Sequence, residues 1–381
     1  MKLPKIRFKG FEGAWEEKRL KNLVDYTTSS ISAKDAKIDW KYDLYDANGI
    51  IWKTDIEWIK QQYITIIKDW AGVWRIRILP EKTIFIWTMW ALLPKWTFLP
   101  YIFSLLTKAN LWKKFSWSTI PHIYFKDYWE ELYFIPSLPE QEKIWSLFEQ
   151  LDSHINKNQQ KLEKLKNMKL SFLQKLFPKE WSVLPELRFK GFEGAWEERK
   201  LGENVEEINR KDEKSTANIM MISANEWFIN QSIRYSYDNF WKSLTKYTIL
   251  RKGELGYNHW ASKIRPYGSC FVLKQDEARV PFVYHCFKVK NNNPYFFELT
   301  LNSKQVEKKL KKIISSWARM DGLLNISYSA YVDINIVIPS LPEQEKIWAF
   351  FEKLDTQITQ QTQKIQKLQN LKQSLLEKMF I

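Results

Sequence analysis

An internal repeat constrains this chain more than any other feature. The stretch RFKGFEGAWEE at Arg7–Glu17 recurs unchanged at Arg188–Glu198, an offset of 181 residues. A second block, IPSLPEQEKIW, spans Ile135–Trp145 and recurs at Ile338–Trp348, an offset of 203. Self-similarity on this scale decides the architecture before any local reading, because both copies are expected to build the same frame. The interval between the blocks is 22 residues longer in the second copy, and the two intervals look dissimilar. Two constant frames carry two different inserts.

Each second block leads into a helix. Pro139 suits a first helical turn, and no Gly or Pro follows before Pro178. Leu151, Ile155, Asn158, Leu162, Leu165, Lys169, Phe172 and Leu176 are spaced alternately by four and three. Leu354, Ile358, Gln361, Ile365, Leu368, Lys372, Leu375 and Met379 repeat that spacing in the second copy. These are two heptad seams, each with a polar residue at the third position and a lysine at the sixth. Matched polar interruptions favour pairing of the helices with each other over packing of each on its own domain. A helix of about 35 residues is about 50 Å long, so such a pair is a rigid spacer.

The inserts, about 21–134 and 202–337, read as mixed α/β globular segments. Tyr63–Lys68, Arg75–Leu79, Thr83–Ile86, Tyr247–Leu250, Ser269–Leu273 and Val332–Ile338 are predicted strands, and Lys304–Ser315 a predicted helix. The fold class is therefore α/β (α+β), laid out as an insert-bearing domain 1–134, a linker and helix 135–180, a second such domain 181–337, and a linker and helix 338–381. Hydrophobic residues at 45% and charged residues at 27% exclude a disordered chain. With 59 Lys and Arg against 44 Asp and Glu, the net charge of +15 favours a polyanionic partner. Cys270 and Cys286 are too few for a disulfide framework. The first residues lack a signal-peptide core, so the cytoplasm is the expected location.

Catalytic motifs are missing from the sequence. There is no dinucleotide fingerprint, phosphate loop, zinc-protease motif or nucleophile elbow. His122, His154, His259 and His285 lack metal-ligand spacing, so no metal is expected. Asn293-Pro294-Tyr295-Phe296 lacks a proline of the amino-methyltransferase loop and reads as an ordinary turn. Basic residues among polar and aromatic ones are more informative. The candidate DNA-binding residues of the first insert are Lys68, Arg75, Arg77, Lys113, Lys114, Ser116, Ser118, Thr119 and His122. Those of the second are Asn258, His259, Lys263, Arg265, Tyr267, Arg319, Asn325, Ser327 and Tyr328. Lys and Arg neutralise phosphates, and Arg, Asn and Ser also read base edges. Ile84–Leu106 is long enough for a bilayer, but Pro94, Lys95 and Pro100 suit a strand, a turn and a short helix better.

The duplicated RFKGFEGAWEE, the IPSLPEQEKI block and its heptad helix resemble the specificity subunit of type I restriction–modification systems. The resemblance covers essentially the whole chain. It implies two target recognition domains reading a bipartite, asymmetric DNA target, joined by an antiparallel helix pair that sets the spacing. It also implies docking of two methyltransferase subunits and of restriction subunits. The resemblance further implies no cofactor in this chain, with S-adenosylmethionine, ATP and magnesium in the partner subunits, and a subunit that is not itself an enzyme. A coiled-coil scaffold without DNA readout would explain the helices but neither the charge nor the two inserts. A membrane-associated protein is the minor alternative.

Tryptophan and glycine usage is anomalous. The chain has 20 Trp and only 11 Gly, whereas glycine normally makes up about 7% of residues. The resemblance implies glycine where this sequence has Trp52, Trp70, Trp74, Trp87, Trp90, Trp96, Trp145, Trp227, Trp260 and Trp348. It implies tryptophan at Trp15 and Trp196. A single base separates the glycine codon GGA from UGA, which some bacteria read as glycine and others as tryptophan. Most of these tryptophans are therefore expected to stand for glycines read with another code.

Overall fold

The computed structural model describes residues 3–37, 41–56, 59–69, 72–109, 111, 122–180, 182–212, 215–224, 227–230, 246–314 and 323–380. The chain forms two compact units. One comprises 1–161 with 361–381, and the other 162–360.

The first unit is built on a four-stranded antiparallel sheet. Its spatial order is Val24–Thr28, Met89–Pro94, Tyr63–Ile67, Ile76–Leu79. The strand Tyr63–Ile67 is buried at every position, which its β-branched sequence suits. The helix Leu99–Lys108 buries Tyr101, Ile102, Leu105 and Leu106 in the same core. A smaller sheet places Tyr42–Tyr45 between Ile50–Thr54 and Thr83–Phe85.

The second unit repeats that plan on a different sequence. Its sheet runs Val205–Glu207, His285–Val289, Leu255–Asn258, Ser269–Val272, again antiparallel throughout. The helix Pro294–Leu301 follows the second of these, as Leu99–Lys108 does in the first unit. Two further antiparallel pairs, Met220–Ser223 with Trp227–Asn230 and Thr248–Arg251 with Glu277–Val280, add to the β structure. The helix Lys304–Ile313 lies within its predicted bounds. The predicted strand from Val332 begins later, at Asn335. Ser327 caps a short helix, Tyr328–Val332, by accepting from the Ala330 amide, and that helix takes Val332.

The two long helices span Leu138–Lys175 and Leu341–Met379. Every heptad position is buried or half-buried, while most flanking positions are exposed. In the first unit Gln361 Nε2 donates to Asn158 Oδ1 at 2.7 Å, so the two third-position polar residues meet. Lys372 Nζ donates to Asp152 Oδ1 at 2.6 Å in the same unit. The second unit contains the counterpart, Lys169 to Asp355 at 2.5 Å. Partners fall in one sequence as they rise in the other, which is an antiparallel arrangement within the first unit. Among the described residues no helix is long and apolar enough to cross a membrane. The apolar stretch Ile84–Leu106 is divided among two strands and the helix Leu99–Lys108.

Candidate nucleic-acid interface

The repeated blocks have a structural explanation. Glu16–Arg19 pairs antiparallel with Leu132–Ile135, and Glu197–Lys200 pairs with Asn335–Ile338 in the same register. The Arg7 guanidinium donates to both oxygens of Glu140, from Nε at 2.7 Å and a terminal nitrogen at 2.8 Å. Arg188 grips Glu343 in the same bidentate way, both at 2.7 Å. Each arginine also holds a carbonyl of its own loop, Gly13 or Gly194. Both carboxylates are only 1% exposed, and each lifts the pKa of its arginine through the hydrogen bond. The next residue in the motif closes the insert. Gln141 accepts from the Phe98 amide, and Gln344 from the Asn293 amide, at the start of equivalent helices. RFKGF, GAWEE and LPEQ thus form one clamp that holds both ends of an insert.

Strand registers align the interiors of the inserts. Val24 faces Pro94 as Val205 faces Val289. Thr65 faces Ala91 as Gly256 faces Cys286. At the end of the central strand, the Lys68 carbonyl accepts from Ile123 and the His259 carbonyl from Leu324. The adjacent bridges Asp69–His122 and Trp260–Leu323 match as well. Lys68 and His259 therefore occupy one backbone position, and Trp90 corresponds to His285.

In the first unit this position is cationic and aromatic. Lys68 Nζ lies 3.5 Å from Asp69 and 5.6 and 5.9 Å from the ring centroids of Trp87 and Trp90. The His122 ring stands edge-on to Tyr124 at 4.6 Å, and Lys126 lies over Tyr124 at 5.2 Å. Arg75 is exposed, with Nε 3.4 Å from the Gly72 carbonyl. Arg77 donates to the carbonyls of Ala47 and Asn48. Lys113, Lys114, Ser116, Ser118 and Thr119 lie outside the described residues, as does Arg319.

In the second unit the position is neutral and buried. His259 is 8% exposed and stands edge-on to His285, centroids 4.9 Å apart. Burial, with the neighbouring His285, lowers the His259 pKa to about 4, and burial lowers that of His285 as well. His285 Nε2 lies 3.0 Å from the Ile326 carbonyl, and its ring meets Tyr328 at 5.6 Å. Asn258 holds the backbone together, donating to Ile222 and accepting from the Trp260 amide. The Tyr267 carbonyl accepts from the Tyr257 hydroxyl. Arg265 donates to the Asn302 carbonyl and faces Glu307 at 3.7 Å. Lys263, Asn325 and Ser327 are exposed. Lys263 joins Asn258, Trp260, Ser262, Ser223 and Phe282 around a cavity of about 660 Å³.

Lys68, His122 and His259 were among the candidates read from the sequence; the structure places Trp87, Trp90, Tyr124, Lys126 and His285 around them, which the sequence reading did not include. Their signal is register across a sheet, which no local motif carries.

Comparison with known proteins gives one reading throughout. Residues 12–167 match the family model "Type I restriction modification DNA specificity domain". The chain is similar in fold to a type I restriction–modification system S subunit from M. genitalium. The TM-score is 0.59 at 15% identity, covering 100% of this chain and 99% of that one. It is similar, at TM-score 0.53 and 14% identity over 97% and 98% of the two chains, to a chain from a structure of complex assembly and conformational transition of the type I R-M system. No curated protein matches. Residues 12–167 thus match the model of a type I restriction–modification DNA specificity domain, and the whole chain shares the fold of the S subunit from M. genitalium.

Proposed function

We propose that this chain is the DNA-reading subunit of a type I restriction–modification complex, each unit reading one half of a bipartite, asymmetric target. One observation carries this reading. The same sheet, fastened by the same clamp, carries two inserts of different sequence, with Lys68 in one unit where the other has His259. Equal frames that carry unequal inserts are what two readers of unlike sequences require. The positive surplus supplies affinity for phosphates without sequence preference. The paired helix segments set the gap between the half-sites, and a helical turn of B-DNA is about 34–36 Å.

The chain reads and its partners react. Two methyltransferase subunits with S-adenosylmethionine would dock on it, and restriction subunits with ATP and magnesium would join them in the cytoplasm. This chain supplies no catalytic group.

Mapping of methylated bases in the native host genome by long-read sequencing tests the proposal. A bipartite, asymmetric motif with a fixed gap, methylated on both strands, is expected. Absence of such a motif beside an intact, expressed methyltransferase gene would favour a scaffold without DNA readout.

A further inference from the structure

We propose that positions 74 and 227 are glycine positions, filled by glycine in the protein that the native host makes, and that the tryptophans written there arise from UGA codons which that host reads as glycine.

The backbone carries the argument. Four non-glycine residues among those described have left-handed φ: Trp74 at 74°, Lys82 at 60°, Trp227 at 57° and Asn291 at 52°. Asparagine visits this region readily because its short polar side chain bonds locally, whereas a bulky ring on Cβ gains nothing to offset the steric cost. Two of the four being tryptophan runs against that chemistry.

Comparison of the units identifies the residue that belongs at 74. Thr65 faces Arg77 in the first unit as Gly256 faces Phe271 in the second. Three residues back from each partner, Trp74 corresponds to Gly268, whose φ is 81°. A Cβ at Gly268 would lie 2.5 Å from the Asn258 carbonyl oxygen. The turn needs glycine where its sequence can be compared. Trp74 follows Gly72, itself at φ 87°, so the same hairpin has two left-handed residues in three.

Trp227 opens the returning strand of its hairpin opposite Ser223 and is 44% exposed. Exposure separates some of the tryptophans, although Trp90 is buried and Trp74, Trp145 and Trp348 are half-buried. Trp15 and Trp196, in the repeated clamp, are buried in the two cores. Trp52, Trp87, Trp96, Trp227 and Trp260 are exposed large rings, although tryptophan is highly buried on average. One base converts GGA to UGA, so a reassigned codon produces this substitution without any change in the protein's evolution.

Peptide mass spectrometry on protein from native host cells tests the inference. The tryptic peptides 69–75 and 215–234 are expected to carry glycine at 74 and 227, while the peptides with Trp15 and Trp196 keep tryptophan. An indole-bearing residue at 74 or 227 in host protein overturns it. In recombinant protein, the double variant W74G/W227G is expected to melt about 4 °C or more above the unaltered sequence, since two strained residues relax. W15G, which empties a core site, is expected to melt below it. A double variant that melts no higher than the parent also overturns the inference.

Discussion

Lys68 and His259 sit at one backbone position in two units of the same plan, and their surroundings differ in kind. The lysine is half-buried beside Asp69 and two indole rings. The histidine is enclosed by Tyr257, His285 and the strand bridge to Leu323 and Leu324, and burial keeps it neutral. The clamp around them does not differ in kind, because Arg7–Glu140 and Arg188–Glu343 have the same donors and acceptors at 2.7–2.8 Å. A frame whose ends are fastened by buried charge pairs lets the interior of an insert change without loss of the sheet. Stability resides in the clamp and variation in the sheet's edge and strand ends.

The largest test of that division is to break one clamp. Glu140→Ala or Glu343→Ala removes the buried carboxylate that holds the guanidinium, and each is expected to destabilise its unit by about 3 kcal/mol. Equal losses in denaturant titrations would support the equivalence, whereas a loss confined to one copy would break it.

Acid tests the buried histidine position of the second unit. His259 has a folded pKa below the unfolded value, so its contribution is present above about pH 6.5 and lost as pH falls toward about 4. Half-buried Glu298, which accepts from the Val272 amide, has a pKa raised by desolvation to about 7, so its contribution is present below about pH 4.5 and lost as pH rises toward 7. The two oppose each other. Glu298→Gln removes the second, and that variant is expected to lose about 2 kcal/mol between pH 7 and pH 5. Adding His259→Phe should remove most of that loss.

Smaller effects probe Lys68 and the helix seam. Lys68→Ala is expected to weaken DNA binding across all sequences and to reduce the slope of log affinity against log salt by about 1. A change confined to one target sequence would assign Lys68 to base reading instead. Gln361→Ala strands the Asn158 amide in a half-buried seam, costing about 1 kcal/mol. Lys372→Ala, at a partly exposed ion pair, should cost no more than about 0.5 kcal/mol.

Much of the fold was legible in the chain. The heptad seams appear in the structure as buried and half-buried rows, and the predicted strands at Tyr63, Thr83 and Ser269 lie where β-branched runs meet turn signals. The candidate site was legible only in part. Lys68 and His259 were read as basic or polar residues near aromatic ones, but nothing local paired them. Trp90 and His285 are far from them in sequence and adjacent only across a strand pair.

The repeat, the helical spacing and the net charge follow from the sequence alone, because each depends on residue type and interval along one chain. The equivalence of Trp74 with Gly268, the clamp on each insert and the chemistry at Lys68 and His259 were decided by tertiary structure. Those depend on which strands become neighbours, and hydrogen-bond register between distant segments is set by the packing of the whole sheet rather than by any segment in it.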